Sequence, residues 1–248
     1  MKRLLSVPLA LAILLTLGSV PSSTSSAAPS PWRLVVNDQF RSGGVPAHWS
    51  RYDGRYSSGP EDNCARPDHA YVRNGTMRMV LKYRSSGHCG PGWYSAGMML
   101  GKRFGSVDQK ISVRFRIASS GGVRGHRIMP MRFPSSSPWP QGGEEDLCES
   151  SAVNGCTTFL HSASGREDHS YRVNLTRWHT LTFVRRNFTI RSYIDGRLRW
   201  TYRGSRTTLP ATVKRPVLQQ ECRASSCPSG TSGQETILVD WVRVWNPS

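Results

Sequence analysis

The sequence predicts an all-β fold, in which short strands form a sandwich or jelly roll of two packed antiparallel sheets. Residues 110–117 alternate polar and apolar side chains without a break, which is the period of a strand with one solvent-exposed face. Asp195-Gly196 separates two further alternating runs, and this dipeptide is the strongest short signal of a β-hairpin. No stretch has a helical period, and 23 Gly and 16 Pro are spread along the 248 residues, as in proteins built from strands and turns.

Two more segments complete the strand pattern. Met77, Met79, Leu81 and Tyr83 alternate along a second run, with Arg78 and Lys82 between them, and residues 237–245 form an apolar, β-branched run near the end of the chain. Such strands at intervals of roughly ten residues predict a single long β domain.

The first 28 residues are predicted to be a secretory signal peptide that lies outside the fold. Lys2 and Arg3 precede an apolar run that ends at Val20, and small polar residues follow, which is the order of a cleavable leader. A membrane anchor is the alternative, but the apolar run is short and interrupted by polar residues. The prediction is one domain over residues 29–248, secreted to the extracellular space and free of the membrane after cleavage.

All six cysteines lie after the predicted leader. An even number of cysteines in an oxidising compartment predicts disulfides. Six cysteines allow fifteen pairings, of which pairing between sequence neighbours is the simplest. A zinc site is the alternative, but the spacings include no Cys-x-x-Cys. The predicted pairs are Cys64–Cys89, Cys148–Cys156 and Cys222–Cys227.

The chain is strongly basic, with 33 Lys and Arg against 16 Asp and Glu, a formal charge of +17. A nucleic-acid binder is one interpretation of this charge. However, 28 of the 33 basic residues are Arg and they are spread along the whole chain, and export removes most nucleic-acid partners. The charge favours adhesion to an acidic cell-wall or extracellular polymer instead. We expect a monomer that binds no nucleic acid.

Four of the 16 carboxylates fall within the six residues Glu-Glu-Asp-Leu-Cys-Glu at positions 144–149. In a strand, Glu144 and Asp146 project from one face. Glu149 would face the other way unless one extra residue, a β-bulge at Leu147 or Cys148, returns it to that face. Such a cluster needs an explanation, because like charges raise each other's pKa values and cost stability. The alternatives to a functional row are a solvated acidic loop and a calcium loop.

A row of three carboxylates on one sheet face suits the hydrolysis of glycosidic bonds. One carboxylate attacks the anomeric carbon, and another, held protonated by its neighbours, donates a proton to the leaving oxygen. The carboxylate between them would tune both groups by hydrogen bonding and charge.

The pattern Glu-x-Asp-x-x-Glu, after a Trp-Pro and a Gly, resembles the signature of glycoside hydrolase family 16, the laminarinase-like β-jelly rolls of concanavalin type. Shorter matches follow in the same order over nearly the whole chain after the leader, and that order carries the resemblance. The matching segments are Asn37-Asp38-Gln39-Phe40 with Trp49, Asn74-Gly75-Thr76-Met77-Arg78-Met79, Tyr94-Ser95-Ala96-Gly97, Phe104-Gly105-Ser106-Val107, Trp178-His179-Thr180, Tyr193-Ile194-Asp195-Gly196 and Val239-Asp240-Trp241-Val242-Arg243-Val244.

The resemblance implies an endo-acting glycoside hydrolase, or a transglycosylase, that acts on a β-linked polysaccharide with retention of anomeric configuration and requires no cofactor. By position, Glu144 would be the nucleophile, Glu149 the general acid/base and Asp146 the assisting carboxylate. We expect Glu149 to hold its proton more tightly than Glu144 does. Glu145, where the family has an apolar residue, would point to the opposite face and be solvated or paired with an Arg.

One departure from the family concerns the substrate. The family's Trp-Pro-Ala-x-Trp segment, whose rings form sugar platforms, is replaced here by Arg-Ile-Met-Pro-Met-Arg-Phe-Pro at 127–134. This replacement argues against a simple β-1,3-glucan specificity. Arg132 would contact an anionic or differently shaped sugar, or else be a surface arginine.

Five other residues are candidates for contact with substrate. Trp139, Trp93 and Tyr94 would stack on sugar rings, or else be ordinary core and hairpin aromatics. His161 resembles the histidine that the family places near the acid/base, and the other six histidines are expected at the surface. Gln219, or the glutamine after it, would reach the sugar from an apolar strand.

Asp240 resembles the family's calcium ligand on the last strand, with backbone oxygens near Gly75 as partners. A carboxylate and carbonyl oxygens suit a hard cation, so the resemblance implies a possible structural calcium. The alternative is that Asp240 pairs with an arginine.

Two other functions compete with hydrolysis. A lectin-like jelly roll would bind glycan without cutting it, although a pure binder has no need of a costly cluster of like charges. A polysaccharide lyase would need a base and a cation that neutralises a uronate, and His161 and Arg132 are the candidates for those roles.

Overall fold

The computed structural model describes residues 31–56, 63–119, 123, 125–222 and 230–248, and nearly all of its regular structure is β-strand. Two single-turn 3₁₀ helices, Pro67–His69 and Lys102–Phe104, are the helical elements among the described residues. The predicted signal peptide lies outside the described residues. None of the described helices has the length and apolar character needed to cross a membrane.

The strands are β1 Trp32–Asp38, β2 Trp49–Arg51, β3 Gly54–Tyr56, β4 Asn63–Ala65, β5 Ala70–Arg73, β6 Thr76–Arg84, β7 Gly92–Ser95, β8 Gly97–Leu100, β9 Gln109–Ser119, β10 His126–Pro134, β11 Glu144–Ser150, β12 Gly155–Ser162, β13 Gly165–Arg172, β14 His179–Arg186, β15 Thr189–Ile194, β16 Arg197–Arg203, β17 Lys214–Glu221 and β18 Gln234–Pro247.

The strands form two sheets. The larger has 11 strands in the order β16-β15-β14-β9-β18-β6-β7-β4-β3, with β1 paired to β18 and β5 paired to β6. The smaller has 7 strands in the order β13-β12-β11-β10-β17-β8-β2. All pairings are antiparallel except that of β4 with β7. The predicted fold class, two packed antiparallel-rich sheets, is therefore confirmed.

The core lies between the sheets, and the alternation in the sequence determines which side chains enter it. On β9, Ile111, Val113, Phe115 and Ile117 are at most 2% exposed, whereas the polar residues between them point to the other face of the sheet. The core continues into β11 and β12 of the smaller sheet through Leu147, Cys148, Cys156 and Leu160.

The Asp195-Gly196 hairpin forms as predicted between β15 and β16. Both turn residues have positive φ, 50° for Asp195 and 76° for Gly196, which is the backbone geometry of the tight hairpin turns that match the twist of the flanking strands.

The disulfide predictions are confirmed for two pairs, Cys64–Cys89 and Cys148–Cys156. The second pair cross-links the neighbouring strands β11 and β12. Cys222 is also disulfide-bonded, while Cys227 lies outside the described residues.

Candidate active site

The acidic segment forms β11, an inner strand of the smaller sheet, and it contains the predicted irregularity. Glu144 pairs with His161 and Asp146 pairs with Phe159, but the register shifts before Glu149 pairs with Thr157. The two residues between Asp146 and Glu149 both enter the core, so the strand bulges there. Because of this bulge, the three carboxylates project from the same face, which we call the site face.

Glu144 and Asp146 project from the site face two positions apart on β11, close enough for their charges to interact. Burial, and next the charge of Asp146, raise the pKa of Glu144 to about 9. Two adjacent carboxyl groups out of water favour sharing one proton over carrying two charges. At neutral pH this pair therefore holds a proton, in addition to the one that the sequence analysis expects on Glu149.

Glu149 contacts a histidine that the sequence analysis did not select. His126 Nε2 lies 2.8 Å from Glu149 Oε1, and His126 Nδ1 lies 2.8 Å from Ser151 Oγ. His126 is only 5% exposed, so the expectation that the remaining histidines lie at the surface is wrong for it, as it is for the buried His69. His126 begins β10, next to β11, and the residue could be identified only once the pairing of these strands was known.

Two of the predicted substrate residues lie beside the carboxylates. His161 Nε2 is 3.5 Å from Asp146 Oδ2. The imidazole lies between two aromatic rings, with its centroid 6.0 Å from that of Trp139 and 5.9 Å from that of Phe159. Trp139 is 56% exposed, so its ring is available to a ligand.

The strands on the other side of β11 add an apolar patch to the site face. Met131 of β10 pairs with Asp146, and it packs with Ile128 and Val217. Sequence analysis missed this patch because its residues come from three separate strands and a loop. Its partly buried members are Tyr52, Met99 and Phe133.

Gln219 lies on the same face but is already engaged by a protein group. It pairs with Ile128 across the strands, is 5% exposed, and its amide nitrogen donates to Glu221. Glu221 is a fourth carboxylate on this face, and it lies opposite His126 in the register of β10 and β17.

Arg132 does not lie on the site face, and its prediction as a substrate residue is wrong. It pairs with Glu145 across β10 and β11, one position away from the Met131–Asp146 pair, so it points into the core, where it is 1% exposed. Its guanidinium binds Glu145 and the backbone oxygens of Ser106 and Val107. The alternation along a strand thus assigns Arg132 to the interior.

Glu145 is surrounded by cations in the core. Besides Arg132, Arg185 Nη1 lies 3.0 Å and Lys214 Nζ 3.4 Å from its Oε1. Burial alone would raise the pKa of Glu145, but these cations overcome it and hold the pKa at about 2. The predictions that Glu145 faces away from the carboxylate row and pairs with an arginine are confirmed.

Trp93 and Tyr94 belong to the larger sheet, on β7, and the structure does not bring them to the carboxylates. Tyr94 is fully buried, and its hydroxyl donates to the Gly90 oxygen at 2.7 Å. Trp93 packs edge-on against Tyr83 of β6, with 6.0 Å between ring centroids. The prediction that Tyr94 stacks on a sugar ring is wrong, because its ring is fully buried, whereas the same role for Trp93 stays a prediction.

The predicted calcium ligand Asp240 forms an ion pair with Arg114, which is the alternative that the sequence left open. Gly75 lies in the turn between β5 and β6 with φ of 68°. Calcium at these residues stays a prediction. Separately, Asp146, Glu149 and His161 offer ligand atoms within 4.8 Å of one another, a spacing that acidic clusters often have without a metal.

A groove of about 620 Å³ opens beside Glu149 on the side of β12 and β13. Its lining includes His126, Thr157, Phe159, Ser170 and Arg172. A chain-like ligand would therefore find open space next to Glu149, the apolar patch on the other side of β11, and the carboxylate row between the two.

No protein-family model and no curated protein matches the sequence of this chain. Solved structures do match its fold. The catalytic domain of an endo-1,3-β-glucanase (laminarinase) from Thermotoga petrophila has a TM-score of 0.73 at 16% identity, covering 88% of this chain and 98% of that one. An endo-β-1,3-glucanase from Pyrococcus furiosus has a TM-score of 0.73 at 16% identity, covering 88% and 95%.

A third neighbour is SCLam, a non-specific endo-β-1,3(4)-glucanase from family GH16, with a TM-score of 0.73 at 18% identity and coverage of 90% of this chain and 94% of that one. At such identities the likeness concerns the fold, and this chain has the β-jelly-roll fold of these glucanases.

Proposed function

We propose that this chain is a divergent member of glycoside hydrolase family 16, a secreted endo-acting enzyme that cleaves a β-linked polysaccharide with retention. The observation that carries the proposal is the carboxylate row of Glu144, Asp146 and Glu149, brought to one face by a bulge in β11. The fold neighbours that act on β-1,3- and β-1,3(4)-glucans support the same class of substrate.

In the first step, a Glu144 carboxylate oxygen attacks the anomeric carbon while Glu149 donates its proton to the leaving glycosidic oxygen. Glu144 must be ionised for this attack. The proton of the Glu144–Asp146 pair therefore has to lie on Asp146, which then donates a hydrogen bond to Glu144 and steadies the carboxylate.

In the second step, Glu149, now ionised, accepts a proton from water or from a sugar hydroxyl. The resulting oxygen nucleophile attacks the anomeric carbon and releases Glu144 as the carboxylate. Water gives hydrolysis, and a sugar hydroxyl gives transglycosylation. His126 contacts Glu149 at 2.8 Å and would keep its carboxyl aimed at the glycosidic oxygen in both steps.

The site face favours a neutral sugar chain. Four carboxylates, those of Glu144, Asp146, Glu149 and Glu221, lie on this face, and the apolar patch offers surface for the C–H faces of sugar rings. Arg132, the cation that would neutralise a uronate if the protein were a lyase, is buried against Glu145. The structure therefore gives no support to the lyase alternative from this residue.

The test is a screen of β-1,3-glucan, mixed-linkage glucan, galactans and chitosan, with time-resolved NMR of the first product anomer. The proposal expects internal cleavage of one of these polymers and a β-anomer as the initial product. An α-anomer would overturn retention. Tight binding without cleavage, in protein whose fold is verified by circular dichroism, would favour the lectin alternative.

A further inference from the structure

The solvent face of the larger sheet carries a concentration of basic and aromatic side chains on the side of the molecule away from the carboxylate row. On β9, Ile111, Val113 and Phe115 fill the core, so Lys110, Arg114 and the residues in phase with them point outward. We call this surface the basic face. Its cations are Arg78, Lys110, Arg114, Arg116, Arg191 and Arg243, and its indole rings are Trp178, Trp241 and Trp245.

Cross-strand register brings these residues together. Arg114 pairs with Trp241 and Lys110 pairs with Trp245 across β9 and β18. Arg78 and Arg116 lie on either side of Leu238, from β6 and β9. Neighbouring strands are about 4.8 Å apart, so the six cations form one continuous surface.

Four of the six cations of the basic face are held in place by the rings. The Arg243 guanidinium lies 4.5 Å from the Trp241 ring centroid, and the Lys110 ammonium lies 4.5 Å from that of Trp245. Arg114 and Arg116 lie over Trp178 at 5.0 and 5.4 Å. Such cation–π contacts restrict long side chains before any ligand arrives, which reduces the entropy lost on binding.

The charge of this face has little compensation from the protein. Among the described residues of its strands, Asp240 is the outward carboxylate, and Arg114 binds it. The site face, on the other sheet, carries four carboxylates. The basic face therefore lies on the opposite sheet from the residues that would cleave the substrate.

We propose that the basic face binds an acidic polysaccharide, a chain whose carboxylates pair with these arginines and Lys110. Binding there leaves the site face open, so the protein would attach to an acidic matrix and act on a separate, neutral chain. A single-stranded nucleic acid also combines phosphates with stacking groups, but the ring faces covered by Arg243, Lys110 and Arg114 are closed to a stacking base.

The experiment is affinity electrophoresis of the purified protein in gels that contain polygalacturonate or, as the matched neutral probe, its fully methyl-esterified form. The wild type should be retarded by the first and not by the second, and the retardation should fall as salt rises, because exposed charges are screened. Equal retardation by both probes would overturn the proposal.

A triple variant, Lys110→Gln/Arg116→Gln/Arg243→Gln, should weaken binding of polygalacturonate about tenfold, since each exposed pairing is worth a few tenths of a kcal/mol to about 1 kcal/mol. The matched control, Arg41→Gln/Lys102→Gln/Arg206→Gln, removes the same charge from exposed positions outside the sheet face and should change the affinity less than about threefold. Equal losses in both triple variants would show a diffuse charge effect and overturn the site.

Two competitors complete the test. Single-stranded DNA of equal charge, or vesicles with anionic lipids, should bind more weakly than polygalacturonate, and tighter binding of either would overturn the choice of ligand. The measurement requires no turnover, so it remains decisive even if the proposed hydrolase activity is absent. If that activity is present, cleavage of a soluble neutral polymer should be the same in both triple variants and the wild type.

Discussion

Glu144 and Glu145 are neighbours in one strand, yet they experience opposite environments. Glu144 lies on the site face against Asp146, and its pKa is raised to about 9. Glu145 lies in the core among Arg132, Arg185 and Lys214, and its pKa is held at about 2. Both groups lose water, so burial alone does not explain the difference. The charge that replaces the water decides it: like charge at Glu144, and opposite charge at Glu145.

The comparison separates two uses of a buried carboxylate. At Glu145 an ionised group is matched by cations and joins the sheets, with Lys214 also donating to the Pro210 oxygen and Arg185 to the oxygens of Leu209 and Pro210. At Glu144 and Asp146 the carboxyl groups oppose one another, which costs stability and leaves a proton available for chemistry. Such mismatched sites are typical of functional positions.

The largest expected effect is on activity at Glu144. Glu144→Gln cannot form the glycosyl ester, so kcat on the best substrate of the screen should fall at least ~10⁴-fold while the fold is kept. Glu167→Gln, at an exposed carboxylate of β13, is the matched control and should keep its activity. Near-native turnover in folded Glu144→Gln, verified by mass spectrometry to be free of deamidation, would remove Glu144 from the mechanism.

The same substitution one residue later should affect stability instead. Glu145→Gln leaves three buried cations without their carboxylate, and breaking such a network costs about 3–5 kcal/mol. Urea unfolding at pH 7 should show this loss, while the activity per folded molecule changes little. The folded-state pKa of Glu145 lies below its pKa in the unfolded chain, so ionised Glu145 stabilises the fold fully at pH values above the unfolded pKa. This contribution is lost as pH falls toward about 2, so the difference in stability between wild type and variant should shrink in acid. A difference independent of pH would contradict the ionised state of Glu145.

Glu149 should affect proton transfer specifically. Glu149→Ala should lower kcat about 10²–10⁴-fold and lose the alkaline limb of the pH–rate profile. Azide, which needs no general base, and a substrate with an activated leaving group, which needs no general acid, should each restore much of the rate. An unchanged alkaline limb with no rescue by either route would leave the acid/base role unsupported.

The smallest expected effect is a gain of stability. The folded-state pKa of Glu144 is raised above its unfolded value, so the folded state retains a proton that the unfolded state releases, and stability falls as pH rises from about 5 toward 9. Glu144→Gln removes this penalty and should be more stable than wild type at pH 8 by about 0.5–2 kcal/mol, as when function is removed from a strained site. The measurement is thermal or urea unfolding at pH 5 and pH 8. A variant that is less stable than wild type at pH 8 would contradict the raised pKa.

Strand periodicity was sufficient to predict the fold and much of the carboxylate row. Glu144 and Glu149 are five residues apart and can share a face only if the strand contains a bulge. The register shift is found where this predicts it, between Asp146 and Glu149. Comparison with the family pattern failed at Arg132 and Tyr94: it suggested a place near the substrate for both, whereas alternation and packing assign them to the interior. A resemblance locates a segment, whereas the direction of each side chain depends on register.

The sequence by itself determined which side chains of a strand share a face, where the hairpin turns, and that Glu145 must face away from Glu144 and Asp146. These are local properties, because the period of two and the turn preferences depend on near neighbours in the chain. Only the tertiary structure decided what each face meets. His126 reaches Glu149 from β10, Arg185 and Lys214 reach Glu145 from β14 and β17, and the cations of the basic face assemble from four strands. Strand order and register set these partners, and both arise from long-range packing that no local pattern encodes.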